Sequence, residues 1–248
     1  MEFTGLGERH RVYSEALGET REFIVGLPEG YHGSSGVYPV LYLLDADFAP
    51  FHVHNVATVR LMSYVEAIPE VITVGVLNTD RDRDMLPVAV PEKESSGGAD
   101  VFLRFMAEEL IPTVNAGYRS SNYNLLFGAS NAGLFCLYAL LKRPDVFDGV
   151  VSSSPMIGWC GDYIHGLAAE RFRSPESIVT KLYMIYGRQD YGRVVDYVPG
   201  FSEYLRLNAP EGLRWEVKTV EDEGHVPYSS LFDGLRFVLG ARPGGKVS

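Results

Sequence analysis

This sequence predicts an α/β fold with a mostly parallel central sheet of about eight strands, an antiparallel hairpin at the amino end and helices on both faces. Three observations carry that reading. Short apolar runs of strand length recur along the chain, and segments long enough for helices separate them. One stretch, Asn124 to Pro144, joins a strand-like run to a helix-like run across a turn of small residues.

Taken in order, residues from about 8 to 27 read as two antiparallel strands punctuated by Gly18, with Phe23, Val25 and Leu27 alternating on the second. A turn-rich connection follows, Pro28-Glu29-Gly30-Tyr31 and His32-Gly33-Ser34-Ser35-Gly36. The continuous apolar runs Val40–Leu44, Val71–Val76, Leu125–Phe127, Gly149–Ser152 and Leu182–Tyr186 suit strands buried on both faces. Between them, Asp100 to about Asn115 places Phe102, Phe105, Met106 and Leu110 on one face of a 3.6-residue period, and Pro112 is expected to kink it. The last helix, about Tyr228 to Leu239, repeats the pattern through Leu231, Leu235 and Val238. Nothing divides the chain, so residues 1–248 are expected to form a single domain with a frayed tail after about residue 240.

Composition narrows the function. Hydrophobic residues at 46% and charged residues at 22% describe an ordinary globule. A net charge of −10, from 22 basic and 32 acidic residues, argues against nucleic acid and anionic membrane surfaces, which repel an acidic protein. No apolar stretch approaches the ~20 residues of a membrane span. Met1-Glu2-Phe3-Thr4-Gly5 lacks the basic start and apolar run of a signal peptide, and Cys136 and Cys160 form no CxxC pair. A soluble cytoplasmic protein is the expectation.

The stretch at Asn124 carries the chemistry. Lys142 and Arg143 suit a helix C-terminus and Pro144 its stop, so Ser130 falls on a strand-to-helix turn, the geometry of a nucleophile elbow. Gly128, Ala129, Ala132 and Gly133 are the small neighbours that such a turn demands; the last glycine of G-x-S-x-G is here Ala132, with Gly133 one residue later. The competing reading is a plain strand–helix connection whose serine caps the helix. A serine nucleophile needs a base and a group to orient it. Gly187-Arg188-Gln189-Asp190 puts an acid just past a strand's C-terminal end, where catalytic groups of open α/β sheets collect. Of six histidines, only His225, in Glu223-Gly224-His225-Val226-Pro227, lies downstream of both Ser130 and Asp190. Asp196 is the alternative acid, and Glu221, Asp222 or Glu223 can shape the field of the base. The oxyanion donors expected are the backbone N–H of Asn131 and one from the loop Asp45-Ala46-Asp47-Phe48, whose carboxylates must then point away or be paired.

The ordered series Leu27-Pro28-Glu29-Gly30-Tyr31, Tyr38 to Asp45, Asn78 to Pro87, Gly97-Gly98-Ala99, Glu109 to Pro112, Gly128 to Leu141, Phe147, Ser154-Pro155 and Trp159 spans most of the chain. In it the chain resembles the putative-esterase family of α/β hydrolases, which includes enterochelin esterase, S-formylglutathione hydrolase, feruloyl esterases and mycolyltransferases, and it sits nearest the siderophore-esterase-like branch. The resemblance implies the α/β-hydrolase fold, Ser130 as nucleophile, His225 as base, Asp190 as acid, and the amides of Asn131 and Asp47 as oxyanion hole. Relatives usually carry Gly-Gly where this chain has Ala132-Gly133 and Asp-Gly where it has Asp45-Ala46, so either extra methyl can shift the elbow or the loop.

The expectation is a serine esterase cleaving small or medium soluble carboxylic esters through an acyl-enzyme, with a small-molecule ester as partner and no cofactor or metal. Acyl transfer by the same intermediate and a catalytically weak binding module are the alternatives. Phe48, Trp159 and Tyr228 are expected to line the substrate pocket, with Phe51 as a further apolar wall. Arg81 and Arg83, interleaved with Asp80, Asp82 and Asp84, read as a structural ion-pair loop, with carboxylate binding as the other role. His52 and His54 lack the third and fourth ligands of a metal site.

Overall fold

A computed structural model describes residues 5–174 and 178–240. The expected tail beyond Gly240 lies outside the described residues. The eight strands are β1 (Glu8–Ser14), β2 (Glu19–Gly26), β3 (Tyr38–Leu43), β4 (Ile72–Val76), β5 (Ser120–Ala129), β6 (Gly149–Ser153), β7 (Thr180–Gly187) and β8 (Leu213–Val220). They form one sheet in the order β1-β2-β4-β3-β5-β6-β7-β8. β2 runs antiparallel to both β1 and β4, and every other pairing is parallel. Strand β8 is absent from the sequence reading: it is an edge strand whose Arg214, Glu216 and Lys218 alternate with less exposed residues, so it lacks the unbroken apolar run that marks its neighbours.

The helices are α1 (Ala49–Tyr64), α2 (Arg81–Met85), α3 (Ala99–Phe105), α4 (Ile111–Gly117), α5 (Asn131–Lys142), α6 (Tyr163–Arg173), α7 (Gly192–Val195), α8 (Val198–Asn208) and α9 (Ser230–Leu239). Alternation along each strand divides the core in two. Leu41 and Leu43 of β3 face α1 and α9 through Val56, Val59, Met62, Leu231, Leu235 and Val238. Val40 and Tyr42 face the other way, into the larger core of α3, α5, α6 and α8. Helix α5 is buried at every position from Asn131 to Leu141, which is why it shows no polar face.

The segment read as one helix around Pro112 is α3, a π-helical turn over Met106–Leu110, then α4. Proline has no N–H to donate back along the helix, and the wider turn lets the chain continue past it. The Thr113 hydroxyl donates to the Glu109 carbonyl at 2.7 Å, and the Glu109 carboxylate accepts the Ala16 amide at 2.8 Å, fastening the turn to the β1–β2 connection.

A charged network ties β2 to α2. Arg21 is fully buried and donates to Asp84 at 2.5 Å, Thr79 at 2.6 Å, Glu19 at 3.0 Å and the Leu77 carbonyl at 2.9 Å. Arg83 bridges Glu19 at 2.6 Å and Asp84 at 2.7 Å. Chiefly through the Arg83 hydrogen bond, and against the opposing pull of burial, the Glu19 carboxyl is lowered to a pKa of about 2. A carboxyl lowered in the folded state stabilises it above the unfolded-state pKa and stops doing so as pH falls through the folded value. Acid unfolding followed by circular dichroism is therefore expected to show stability lost between about pH 4.5 and 2, and Glu19→Gln is expected to remove ~1–2 kcal/mol of that pH-dependent stability.

Candidate active site

The carboxyl ends of β3, β5, β6 and β7, with the segment after β8, converge on one edge of the sheet, where open α/β folds place their chemistry. Backbone strain is concentrated there. Among the described residues six non-glycines have positive φ, and four of them, Asp45, Ser130, Ser154 and Val226, belong to this edge.

Ser130 follows β5 and caps α5 with φ 63° and ψ −122°. Its N–H donates to the Ser153 carbonyl at 2.9 Å, and its carbonyl accepts from Leu134 at 3.0 Å. The neighbouring glycines are dictated by close approach: a Cβ on Gly128 would strike the Ala132 carbonyl, and one on Gly133 would sit 2.5 Å from the Ser153 carbonyl. Ala132 itself is fully buried in the core, so its methyl has a packing place and the contact with β6 falls to Gly133. The departure from Gly-Gly leaves the elbow intact.

Asp190 follows β7, and His225 arrives from the β8–α9 segment. His225 Nδ1 and Asp190 Oδ1 are 2.6 Å apart; the aspartate side chain has no exposed surface and the histidine side chain is 24% exposed. The approach depends on Gly187, where a Cβ would collide with the carbonyls of Glu223 and Gly224. Burial pushes the Asp190 carboxyl up, but His225, Ser154 and the Tyr191 amide together outweigh it and hold the group below the ordinary aspartate value. The Tyr191 ring lies 4.6 Å from the imidazole, centroid to centroid. Val226 is latched by its N–H to the Ser154 hydroxyl at 2.9 Å, beside the strand end that receives the Ser130 amide. Among the described residues no hydrogen bond joins the Ser130 hydroxyl to His225; such contacts commonly tighten only when substrate is bound.

Three other acids are otherwise engaged. Asp196 caps α7, Glu221 is paired with Arg188 at 2.7 Å, and Glu223 accepts the Tyr228 amide at 2.7 Å. In the loop after β3 both carboxylates are spoken for. Asp45 is held by Arg81 through Nε at 2.7 Å and Nη2 at 2.8 Å, and Asp47 Oδ1 accepts from the Asn78 side chain at 2.7 Å. The Ala46 methyl, buried, has room because β4 carries Gly75 beneath it: a Cβ there would lie 2.9 Å from that of Ala46 and would clash with His52.

A cavity of about 420 Å³ is walled by Ser130, Phe48, Phe51, Asn78, Arg81 and Val226. It adjoins a second of about 340 Å³ that shares Phe48, Phe51 and Val226 and reaches His54 and Tyr228. Phe48 thus shares a cavity with Ser130, and Tyr228 lies in the adjoining space. Trp159 lines neither cavity. Its indole N–H donates to the Asn131 side chain at 3.0 Å, and Arg193 packs over its ring at 3.9 Å. The Asn131 side chain is further held by Asp82 at 3.2 Å, while its backbone N–H, first in α5, lies outside the helix's own hydrogen-bond ladder. Asn78 and Val226 are wall residues with no role in the sequence analysis, and Arg81, for which carboxylate binding was the second of two expected roles, lines the cavity while paired with Asp45 of another loop.

The profile of a family described as Putative esterase matches residues 14–196. The ferri-bacillibactin esterase BesA of Bacillus subtilis (strain 168) is 28% identical over 228 residues, covering 82% of this chain and 79% of that protein. The crystal structure of an IroE-like serine hydrolase from Shewanella oneidensis superposes with a TM-score of 0.83 at 29% identity, covering 92% of this chain and 78% of that one. The BES protein from Bacillus cereus shares the fold, with a TM-score of 0.81 at 24% identity over 96% of this chain and 97% of that one. Among the described residues no helix is long and apolar enough to cross a membrane.

Proposed function

The chain belongs to the Putative esterase family and is a serine-dependent carboxylic ester hydrolase, and on that premise we propose that Ser130, His225 and Asp190 form its catalytic triad. The observation that carries the assignment is the 2.6 Å Asp190–His225 pair on the same sheet edge as a serine held at φ 63°. In the proposed reaction the Ser130 hydroxyl attacks the ester carbonyl while His225 Nε2 takes its proton. The buried Asp190 carboxylate keeps the Nδ1–H tautomer facing it and stabilises the imidazolium that forms. The amides of Asn131 and Asp47 receive the oxyanion. His225 returns the proton to the leaving alcohol, and water, activated by the same imidazole, releases the acid and restores Ser130.

Phe48, and beyond it Tyr228, are proposed to contact the substrate, with Trp159 acting at one remove by fixing the Asn131 side chain. The likeness to a ferri-bacillibactin esterase, together with the open mouth formed by the exposed Phe48 and Tyr228, supports a siderophore ester as the natural substrate. One domain is proposed, supported by a single sheet that takes in all eight strands, and a cytoplasmic location, supported by two unpaired cysteines.

The test is a fluorophosphonate label followed by peptide mapping, run beside a panel of p-nitrophenyl acetate, a feruloyl ester and a catecholate trilactone. Label on Ser130 with cleavage of the short acyl ester is the expected result, and fastest turnover on the trilactone would fix the substrate class. An unlabelled Ser130 with no ester cleaved would leave a hydrolase-shaped binding module instead.

A further inference from the structure

We propose that Arg81 is a positioning residue for ester hydrolysis, acting by locking the loop that carries the Asp47 amide to the strand end that carries Ser130. The inference rests on the triad and oxyanion assignments above and adds to them what sets the distance between the two oxyanion donors.

One guanidinium serves both sides of the site. Its Nε and Nη2 form a fork on the Asp45 carboxylate at 2.7 and 2.8 Å, and Nη2 also donates to the Ala129 carbonyl, one residue before Ser130, at 3.3 Å. Asp45 is the hinge of the loop. It sits at φ 60°, and its carbonyl accepts the Phe48 amide at 3.1 Å. Asn78 extends the grip: its side-chain amide donates to Asp45 at 2.8 Å and to Asp47 at 2.7 Å. The Asp47 amide is therefore flanked on both sides by residues whose carboxylates are held, directly or through Asn78, by the segment 78–81. That segment is in turn fixed to β2 by the Arg21–Asp84 pair.

Carboxylate binding fits the same side chain poorly. A substrate carboxylate would have to displace a bidentate partner that is only 9% exposed, and doing so would release the strained Asp45 turn. Positioning uses the contacts already made. Lysine cannot replace them, because an ammonium offers no planar fork to hold a carboxylate and a carbonyl at once.

The experiment compares wild type, Arg81→Lys and Asp45→Asn on p-nitrophenyl acetate, with active-site titration to count competent enzyme and an aryl boronate as a tetrahedral mimic. Misplacing an oxyanion donor by about an ångström is expected to lower kcat per titrated site ~10–100-fold with KM within about threefold. The boronate should weaken by the same factor as kcat/KM. Arg81→Ala supplemented with guanidinium ion should recover part of the lost kcat, a result that general destabilisation would not give. Should Arg81→Lys fail to fold, Asp45→Asn and the guanidinium rescue decide the matter alone. An unchanged kcat per site, or a rise in KM with boronate affinity intact, overturns the role of Arg81 while leaving the triad standing. A wild type that neither cleaves esters nor labels at Ser130 overturns both.

Discussion

Ser130→Ala is expected to lose ~10³-fold or more in turnover on any ester that the wild type cleaves, with the fold unchanged. The proposed chemistry has no second nucleophile. Once the hydroxyl is gone, His225 and the two amides can only polarise a bound ester and orient water. Stability should barely respond, because among the described residues the hydroxyl makes no hydrogen bond, and alanine meets the same strain at φ 63° and ψ −122° that serine does. Ser130→Gly separates the two roles of the position. It should be equally inactive yet more stable by about 1–2 kcal/mol, since glycine relieves the strain that presents the nucleophile. Thermal melts beside active-site titration check both variants. A Ser130→Ala enzyme within tenfold of wild type, after exclusion of contaminating esterase, would place the nucleophile elsewhere.

What the sequence disclosed about this site follows from where the information is local. The elbow is local: Gly128, Ser130 and Gly133 lie within one turn, and the crowding that demands them comes from residues a few positions away and from the adjoining β6. The pairing of Asp190 with His225, 2.6 Å apart, was open to anticipation because chain order and strand ends limit where an acid and a base can meet, and their service to Ser130 is the proposal. The parallel strands were legible because burial on both faces writes an unbroken apolar run, and β8 was not because an edge strand alternates. Other features lay beyond a linear reading because their cause is a partner far along the chain. Ala46 is tolerated because Gly75 stands on the neighbouring strand. Arg81 reads as part of an ion-pair loop, and it is paired, but its carboxylate is Asp45, just past the neighbouring strand β3, rather than one of the aspartates beside it. The aromatic character of Trp159 suggests a pocket wall, while in the structure its indole donates to the Asn131 side chain and it lines neither cavity beside Phe48. Aromatic character is a sequence property; which wall a ring joins is a tertiary one.

The loop that carries Arg81 depends on a buried charge, and Asp84→Ala is expected to expose that dependence with a loss of about 3–5 kcal/mol. Arg21 and Asp84 have no exposed surface, and Arg21 is enclosed by Phe102 and Phe105, with its guanidinium carbon 5.1 and 5.6 Å from the ring centroids. Its Nε is buried without a partner, so the remaining donors carry the whole charge. Removing Asp84 takes away the closest acceptor and the only carboxylate in the network that is itself fully buried. Glu19, partly exposed and shared with Arg83, cannot replace it. For a chain of this size such a loss corresponds to a fall in Tm of roughly 6–20 °C. Replacing both partners, as Arg21→Met with Asp84→Leu, removes two desolvated charges together and should cost far less than the single change, or nothing. The double variant then asks a question of mechanism. If it melts near wild type yet shows reduced kcat, the ion pair matters for where it holds the segment 78–81, and through Arg81 and Asn78 the loop that carries the Asp47 amide. If it melts near wild type with full kcat, α2 is held well enough by Met85 and Leu86 in the core, and the buried pair serves stability alone.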